Sequence, residues 1–354
     1  MSKKTIVFTG GGSAGHVTPN IAVINELNKN EWDIHYIGSK KGIEKELINK
    51  IALPYYGISS GKLRRYIDFE NIIDLFRVVK GCFDARKVLK KLKPSLVFSK
   101  GGFVSVPVII AASTLKIPIF IHESDMTPGL ANKISQRFAT KIFTSFEEAK
   151  NYFPKDKTIV IGSPIRRELL NGSKKKGIEY LNFKSYIPIL TIMGGSLGAK
   201  KINETVRDSL QDLTKKYQIV HLCGKGNVDE SLKNMERYKQ FEYVHEELAD
   251  LLAASQVIIT RGGSNAIFEF LALHKPMLII PLTKNQSRGD QILNAKSFKE
   301  KGYALMLEEE DLTIKTLQES IEELQNKQEL FIQNMKSSNQ SNALEVLIEQ
   351  INRN

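Results

Sequence analysis

The chain has 354 residues, 42% of them hydrophobic and 25% charged, a composition that excludes collagen-like, mucin-like and wholly disordered proteins. That length suits two domains, and its two cysteines, Cys82 and Cys223, supply neither a disulfide framework nor a zinc cluster. The formal charge of +12 is uneven: residues 1–164 hold 25 Lys+Arg against 14 Asp+Glu, while the remainder hold 26 against 25, so an anionic partner is expected for the first half.

The first residues lack the apolar core of a signal peptide. No uninterrupted apolar run reaches the roughly 18 residues that a membrane span requires; the longest, at 103–112, is broken by Ser105 and Pro107. Short β-branched runs at 5–9, 34–37, 96–99, 117–121, 141–144 and 158–161 alternate with helical stretches such as 19–29, 44–50 and 72–91. Continuous Val/Ile/Leu runs read as strands buried on both faces, and strand followed by helix, repeated, reads as a doubly wound parallel sheet. A polar, basic stretch at 166–184 reads as a joint, after which the rhythm restarts at 189–193, 218–222, 257–260 and 277–280. From 313 onward, Glu, Gln, Lys and Leu predominate, as in surface helices.

Four glycine-paired loops follow strands: Gly10-Gly11-Gly12-Ser13-Ala14-Gly15, Gly101-Gly102, Gly194-Gly195-Ser196-Leu197-Gly198 and Gly262-Gly263-Ser264. In a doubly wound sheet they fall at the carboxyl ends of strands, where ligands bind and helix N-termini offer N–H groups to phosphate. Gly10, Gly12 and Gly15 formally fit the dinucleotide fingerprint. That fingerprint also needs an acidic residue at the end of the second strand, which instead reads Tyr36-Ile37-Gly38-Ser39-Lys40. A nicotinamide or flavin cofactor is therefore not expected.

The stretch Gly11-Gly12-Ser13-Ala14-Gly15-His16-Val17, with Pro19 after it, resembles the opening loop of the MurG family of N-acetylglucosaminyltransferases. The resemblance continues through Gly101-Gly102-Phe103-Val104-Ser105, His122-Glu123-Ser124-Asp125, Gly129-Leu130-Ala131-Asn132-Lys133 and Gly162-Ser163-Pro164-Ile165-Arg166. In the second half it covers Gly194 to Ala199, Gly224-Lys225-Gly226, Arg261 to Glu269, and Gln291 with Asn294-Ala295. It implies an α/β protein of the GT-B glycosyltransferase type, with two Rossmann-like doubly wound domains facing a cleft. The expected divisions are 1–164 for the acceptor and membrane side, 165–340 for the nucleotide sugar, and 341–354 as a helix returning to the first domain.

The implied reaction moves N-acetylglucosamine from UDP to the 4-hydroxyl of undecaprenyl-pyrophosphoryl-MurNAc-pentapeptide (lipid I), with inversion, in bacterial peptidoglycan synthesis. Displacement needs a base for the hydroxyl and stabilisation of departing UDP. His16 has a pKa range suited to the base, and Glu123 is its rival. The resemblance assigns Ser13, Ala14, Gly15, Asp125, Arg166, Ser196, Val244, Ser264, Asn265, Ala266, Ile267, Phe268, Glu269 and Gln291 to the nucleotide sugar, with Glu269 on the ribose and the main chain near Val244 on uracil. It assigns Ser13, His16, Phe103, Glu123 and Asn203 to the acceptor. Arg261 offers a further charge for the diphosphate. No two aspartates are separated by a single residue, so no metal is expected. The chain departs from the family pattern at Phe103 (commonly Tyr), Asp125 (Asn), Leu197 (Gln) and Asp290 (Gln).

Residues 62–93 carry ten cations and four acids, with Phe69, Ile72, Ile73, Phe76, Val79 and Phe83 at helical spacing. Such a stripe faces either the core or a membrane. A lipid-linked acceptor favours peripheral attachment to the anionic cytoplasmic face of the cell membrane. Nucleic-acid motifs are absent and the aromatics are not interleaved with the cations, so no nucleic-acid partner is expected. Another GT-B enzyme using a different nucleotide sugar, or a non-catalytic binding module, are the competing readings.

Overall fold

A computed structural model describes residues 3–61, 69–195, 198–338 and 342–354. The chain divides into two compact units, Met1–Pro164 with Asn342–Asn354, and Ile165–Ser341.

The N-terminal unit is built on seven parallel strands, β1 (Lys4–Thr9), β2 (Trp32–Ser39), β3 (Tyr55–Ile58), β4 (Leu96–Ser99), β5 (Ile119–Glu123), β6 (Lys141–Thr144) and β7 (Thr158–Val160), in the order β3-β2-β1-β4-β5-β6-β7. Its helices are α1 (Thr18–Glu26), α2 (Ile43–Lys50), α3 (Phe69–Leu92), α4 (Ser105–Thr114) and α5 (Leu130–Ser135). The central strands are buried on both faces: Ile6, Val7 and Phe8 are fully enclosed, and so are Val97, Phe120 and Ile121. This is why they read as unbroken apolar runs.

The C-terminal unit repeats the plan with β8 (Ile189–Met193), β9 (Gln218–Leu222), β10 (Tyr238–Phe241), β11 (Val257–Thr260), β12 (Met277–Ile279) and β13 (Ala304–Met306), ordered β10-β9-β8-β11-β12-β13. Its helices are α6 (Arg167–Leu170), α7 (Lys174–Leu181), α8 (Lys200–Asp208), α9 (Leu210–Lys216), α10 (Leu248–Ala254), α11 (Ser264–Ala272), α12 (Asp290–Glu300), α13 (Ile314–Asn326) and α14 (Gln328–Lys336). The stretch at 166–184 is no open joint. It forms α6 and α7, and Gly172 and Gly177 lie so close to α10 that a Cβ on either would stand 2.1 or 2.2 Å from the Ala249 or Asp250 carbonyl oxygen. These glycines mark helix packing rather than a linker.

The last helix, α15 (Ala343–Asn352), packs on the N-terminal unit. Ala343, Leu344, Leu347 and Ile351 join the core of Ile6, Phe8 and Trp32. The indole Nε1 of Trp32 donates to Asn352 Oδ1 at 2.9 Å, and Lys141 Nζ donates to Gln350 Oε1 at 2.6 Å.

In both sheets the strand order reverses once, between β1 and β4 and between β8 and β11. The four glycine loops follow these four strands. Each pair therefore flanks a topological switch point, where open α/β sheets bind ligands.

Candidate active site

In the N-terminal unit the two glycine loops touch through their backbones. Gly102 (φ +84°) comes so near Gly11 that a Cβ would lie 2.1 Å from its carbonyl oxygen, and at Gly12 (φ +85°) a Cβ would lie 2.6 Å from the ring of Phe103. The first loop is also pinned from within. Glu44, fully buried, accepts from Gly12 N at 3.2 Å and, through its other oxygen, from Ser39 N at 3.0 Å and Ser39 Oγ at 2.5 Å. A carboxylate does therefore stand beyond β2, and it is engaged with the protein's own first loop. Tyr36 and Asn20 complete the support, with Tyr36 OH donating to Gly10 O at 2.8 Å and Asn20 Nδ2 donating to Thr9 O at 3.1 Å. On this frame Ser13, Ala14, Gly15 and His16 follow, with Ser13 Oγ and His16 Nδ1 2.9 Å apart.

Glu123 ends β5 and is 5% exposed. One oxygen accepts from Asp125 N at 3.0 Å; the other accepts from Gly129 N at 3.0 Å and Asn132 Nδ2 at 2.9 Å. Burial raises its pKa, the Asp125 charge adds to this, and the hydrogen bonds oppose it. Both oxygens are committed to the 123–132 segment. Beside it lies a residue that the sequence reading passed over, Lys100, buried at the end of β4 with its ammonium on His122 Nδ1 (2.5 Å) and Ser124 Oγ. An isolated lysine in a sequence reads as surface, so no signal marked it.

In the C-terminal unit, α11 begins directly after Gly262-Gly263, with no side chain capping it and Gly263 extended at φ −68°. The first N–H groups of such a helix have no carbonyl partner inside it, and they point where the helix dipole favours an anion. Gly262 allows α12 to close on this turn: a Cβ there would lie 2.5 Å from Gln291 O, and Asn294 Nδ2 donates to Gly262 O at 3.1 Å. Gln291 Oε1 accepts from Leu282 N at 3.1 Å. One turn into α11, Glu269 meets Arg166, whose Nη2 and Nε donate to Oε1 at 3.0 and 3.3 Å. Burial raises the Glu269 pKa, against the pull of the Arg166 charge and hydrogen bond. Glu269, Arg166, Gln291 and the Ser264–Ala266 turn thus gather at one end of the sheet.

Several expected residues stand elsewhere. Asn203 is 2% exposed, its Nδ2 donating to Cys223 O at 2.9 Å and its Oδ1 lying 2.9 Å from His221 Nε2, so its amide serves the core and not an acceptor. The side chains of Ile267 and Phe268 are buried, Phe268 against Phe298, so these positions can offer a ligand only their backbone. Arg261 is no free charge for a diphosphate. It is buried, bound to Glu309 Oε1 at 2.5 Å and to the carbonyls of Ile280 and Pro281. Val244 is buried in the β9 core, consistent with a main-chain role only. Ser196 and Leu197 lie outside the described residues.

On α3, Val78, Ala85 and Leu89 are buried, while the described members of the stripe, Phe76, Val79 and Phe83, face outward. Leu75, Phe76, Val79 and Phe83 are 60, 72, 47 and 70% exposed, next to exposed Arg77, Lys80, Lys87, Lys90 and Lys91. The side chains of Phe69, Ile72 and Ile73 lie outside the described residues. No helix among the described residues is long and apolar enough to cross a membrane.

Two family models match: the glycosyltransferase family 28 N-terminal domain over residues 6–144 and its C-terminal domain over 189–351. A UDP-N-acetylglucosamine--N-acetylmuramyl-(pentapeptide) pyrophosphoryl-undecaprenol N-acetylglucosamine transferase 2 of Bacillus cereus is 60% identical over 98% of this chain and 99% of its own. Transferases of the same description from Shouchella clausii and Clostridium perfringens are 58% and 52% identical, over 98% and 100% of this chain and 98% and 99% of theirs. Among solved structures, MurG of Acinetobacter baumannii shares the fold over the whole of both chains, with a TM-score of 0.79 at 24% identity. A UDP-GlcNAc 2-epimerase from Neisseria meningitidis shares it at 0.69 and 16%, over 100% of both chains. The pairing of the two family 28 domains and the near full-length relatives leave one assignment: the chain belongs to glycosyltransferase family 28, in its MurG family.

Proposed function

We propose that the chain is an inverting hexosyltransferase that moves N-acetylglucosamine from UDP-N-acetylglucosamine to the 4-hydroxyl of undecaprenyl-pyrophosphoryl-MurNAc-pentapeptide in peptidoglycan synthesis. The observation that carries this reading is the uncapped N-terminus of α11 with the Arg166–Glu269 pair one turn along it. A UDP sugar needs donors for a diphosphate and an acceptor for two ribose hydroxyls, and this short stretch offers both. The Ser264, Asn265 and Ala266 N–H groups meet the diphosphate, and Glu269 accepts from the ribose. Gln291 contacts the transferred sugar, and the main chain at Val244 reads uracil.

In the transfer the acceptor O4 bonds to the anomeric carbon as the bond to the UDP oxygen breaks. Negative charge grows on the leaving diphosphate, where fixed N–H dipoles stabilise it without reorganising. This takes the place of a metal ion, so a chelator leaves the rate unchanged. The 4-hydroxyl proton goes to His16 Nε2, which requires the tautomer with Nδ1–H donating to Ser13 Oγ. Glu123, with both oxygens occupied by its own segment, is the anchor of that segment. Ser13, Ala14, Gly15, Asp125 and Phe103 stand with His16 as the N-terminal unit's substrate positions.

The acceptor's lipid lies in a bilayer, and the exposed apolar and cationic face of α3 fits an anionic membrane surface. Peripheral attachment to the cytoplasmic side of the cell membrane follows. The test of the reading is a donor comparison on the lipid-linked muramoyl acceptor. UDP-N-acetylglucosamine supports transfer and UDP-glucose does so far less; equal use of both, or use of neither, overturns it.

A further inference from the structure

Lys100 is a titratable group that the reaction does not use directly, 2% exposed just past the end of β4. Its ammonium contacts His122 Nδ1 and Ser124 Oγ, and the other nitrogen of that ring, Nε2, donates to Gly162 O at 3.1 Å. With Nε2 carrying the hydrogen, Nδ1 is the lone-pair side, and His122 is neutral: burial first, then the Lys100 charge, hold its pKa well below the usual value. The ammonium thus ties the end of β4 to the segment after β5, and through His122 to the turn after β7.

Neither of those two partners balances its charge. The opposite charges that act on Lys100 are those of Glu123 and Asp125. Burial lowers the lysine's pKa to about 7, and these two acids hold it up against a larger fall. The dependence runs both ways, because the interaction between two charges is shared by both: without the ammonium, burial and the Asp125 charge push Glu123 further toward its protonated form. Glu123 in turn fixes Asp125 N, so the place of Asp125 passes through this cluster.

We propose that Lys100 is a positioning residue of the transferase: it clamps the His122–Asp125 segment from the Ser124 side, between its two carboxylates, so that Asp125 meets substrate hydroxyl and amide groups in place. This rests on the transferase reading. The experiment is a double-mutant cycle of Lys100→Met and Asp125→Asn in the full chain, with transfer kinetics, melting temperature and infrared absorption of protonated carboxyl groups at neutral pH.

Lys100→Met lowers kcat/KM at least tenfold and gains a protonated-carboxyl band. Adding Asp125→Asn then costs at least fivefold less than it does in the wild type, and the band disappears. Activity within twofold of wild type, losses that simply multiply, or no new band would each overturn the proposal. If Lys100→Met does not fold, Ser124→Ala decides, since it removes one partner of the ammonium and keeps the charge. A threefold or greater loss at an unchanged melting temperature supports the clamp, and no loss refutes it. The infrared readout does not depend on turnover, so a wild type without transferase activity would sink the functional reading and leave this assignment to be judged by the band.

Discussion

Arg166 places two nitrogens on one oxygen of Glu269, 3.0 and 3.3 Å from Oε1, and leaves Oε2 outside the pair. The pairing holds the carboxylate against the desolvation that raises its pKa. If Glu269 takes its proposed place on the ribose, Glu269→Ala removes charged hydrogen bonds of about 1.5–3 kcal/mol. The KM for UDP-N-acetylglucosamine then rises roughly 10- to 100-fold, as steady-state kinetics will show; an unchanged KM removes Glu269 from the donor site.

The same pair fixes a pH dependence. An acid whose pKa is raised takes up its proton at a higher pH than an ordinary carboxyl, and the protonated form no longer accepts from both ribose hydroxyls. Donor kcat/KM therefore falls on the acid side, starting above the usual carboxylate range. Arg166→Met deletes both influences that lower the pKa and moves this limb to still higher pH. A profile of kcat/KM against pH, which reports the free enzyme, checks the direction; a limb that stays put or moves down contradicts it.

Glu44 sits at the other switch point, where it accepts three hydrogen bonds from Gly12 and Ser39. Glu44→Gln keeps the shape but turns one acceptor into a donor that faces N–H groups. A buried donor left unsatisfied costs about 1–3 kcal/mol, so the midpoint of denaturant unfolding falls accordingly. An unchanged midpoint would show that the first glycine loop does not depend on this carboxylate.

The role proposed for His16 is proton transfer, an effect of typically about 100- to 10,000-fold. His16→Ala lowers kcat within that range while the donor KM changes little, and near-normal kcat excludes it as the base.

The α3 surface predicts a membrane phenotype. Phe76→Ser with Phe83→Ser withdraws two exposed rings, each contributing about 1.5–3 kcal/mol when fully buried. Binding to vesicles containing anionic lipid drops more than tenfold and, in the wild type, weakens with salt. Sedimentation of the two proteins with such vesicles tests this, and salt-independent binding, or binding that ignores the substitution, contradicts it.

The sheet centres were legible in the sequence because burial on both faces favours runs dominated by Val, Ile, Leu and Phe, as in Leu96-Val97-Phe98 and Val257-Ile258-Ile259. The strands that went unread, β3, β10 and β13, are all sheet edges. They are short, and β10 reads Tyr-Lys-Gln-Phe, half exposed and without an apolar run. The glycine loops were legible because glycine takes the positive φ seen at Gly12 and Gly102, and the close approaches there, at little steric cost. Charges buried by long-range partners were not. Glu44 reads as a surface helix residue until the loop that it holds is in place, and Lys100 reads as solvated until His122 arrives from 22 residues away. Arg261 and Asn203 failed the other way, since their types suit a ligand but the fold gives them Glu309 and His221.

The most direct measurement follows labelled UDP-N-acetylglucosamine supplied to the purified protein with the lipid-linked muramoyl acceptor in vesicles. Label is expected in a β-linked disaccharide lipid, with one UDP released per transfer and loss of both products at sub-saturating donor in Glu269→Ala. Conversion of the donor to UDP-N-acetylmannosamine, or release of UDP with no label in the lipid, would contradict the transferase reading.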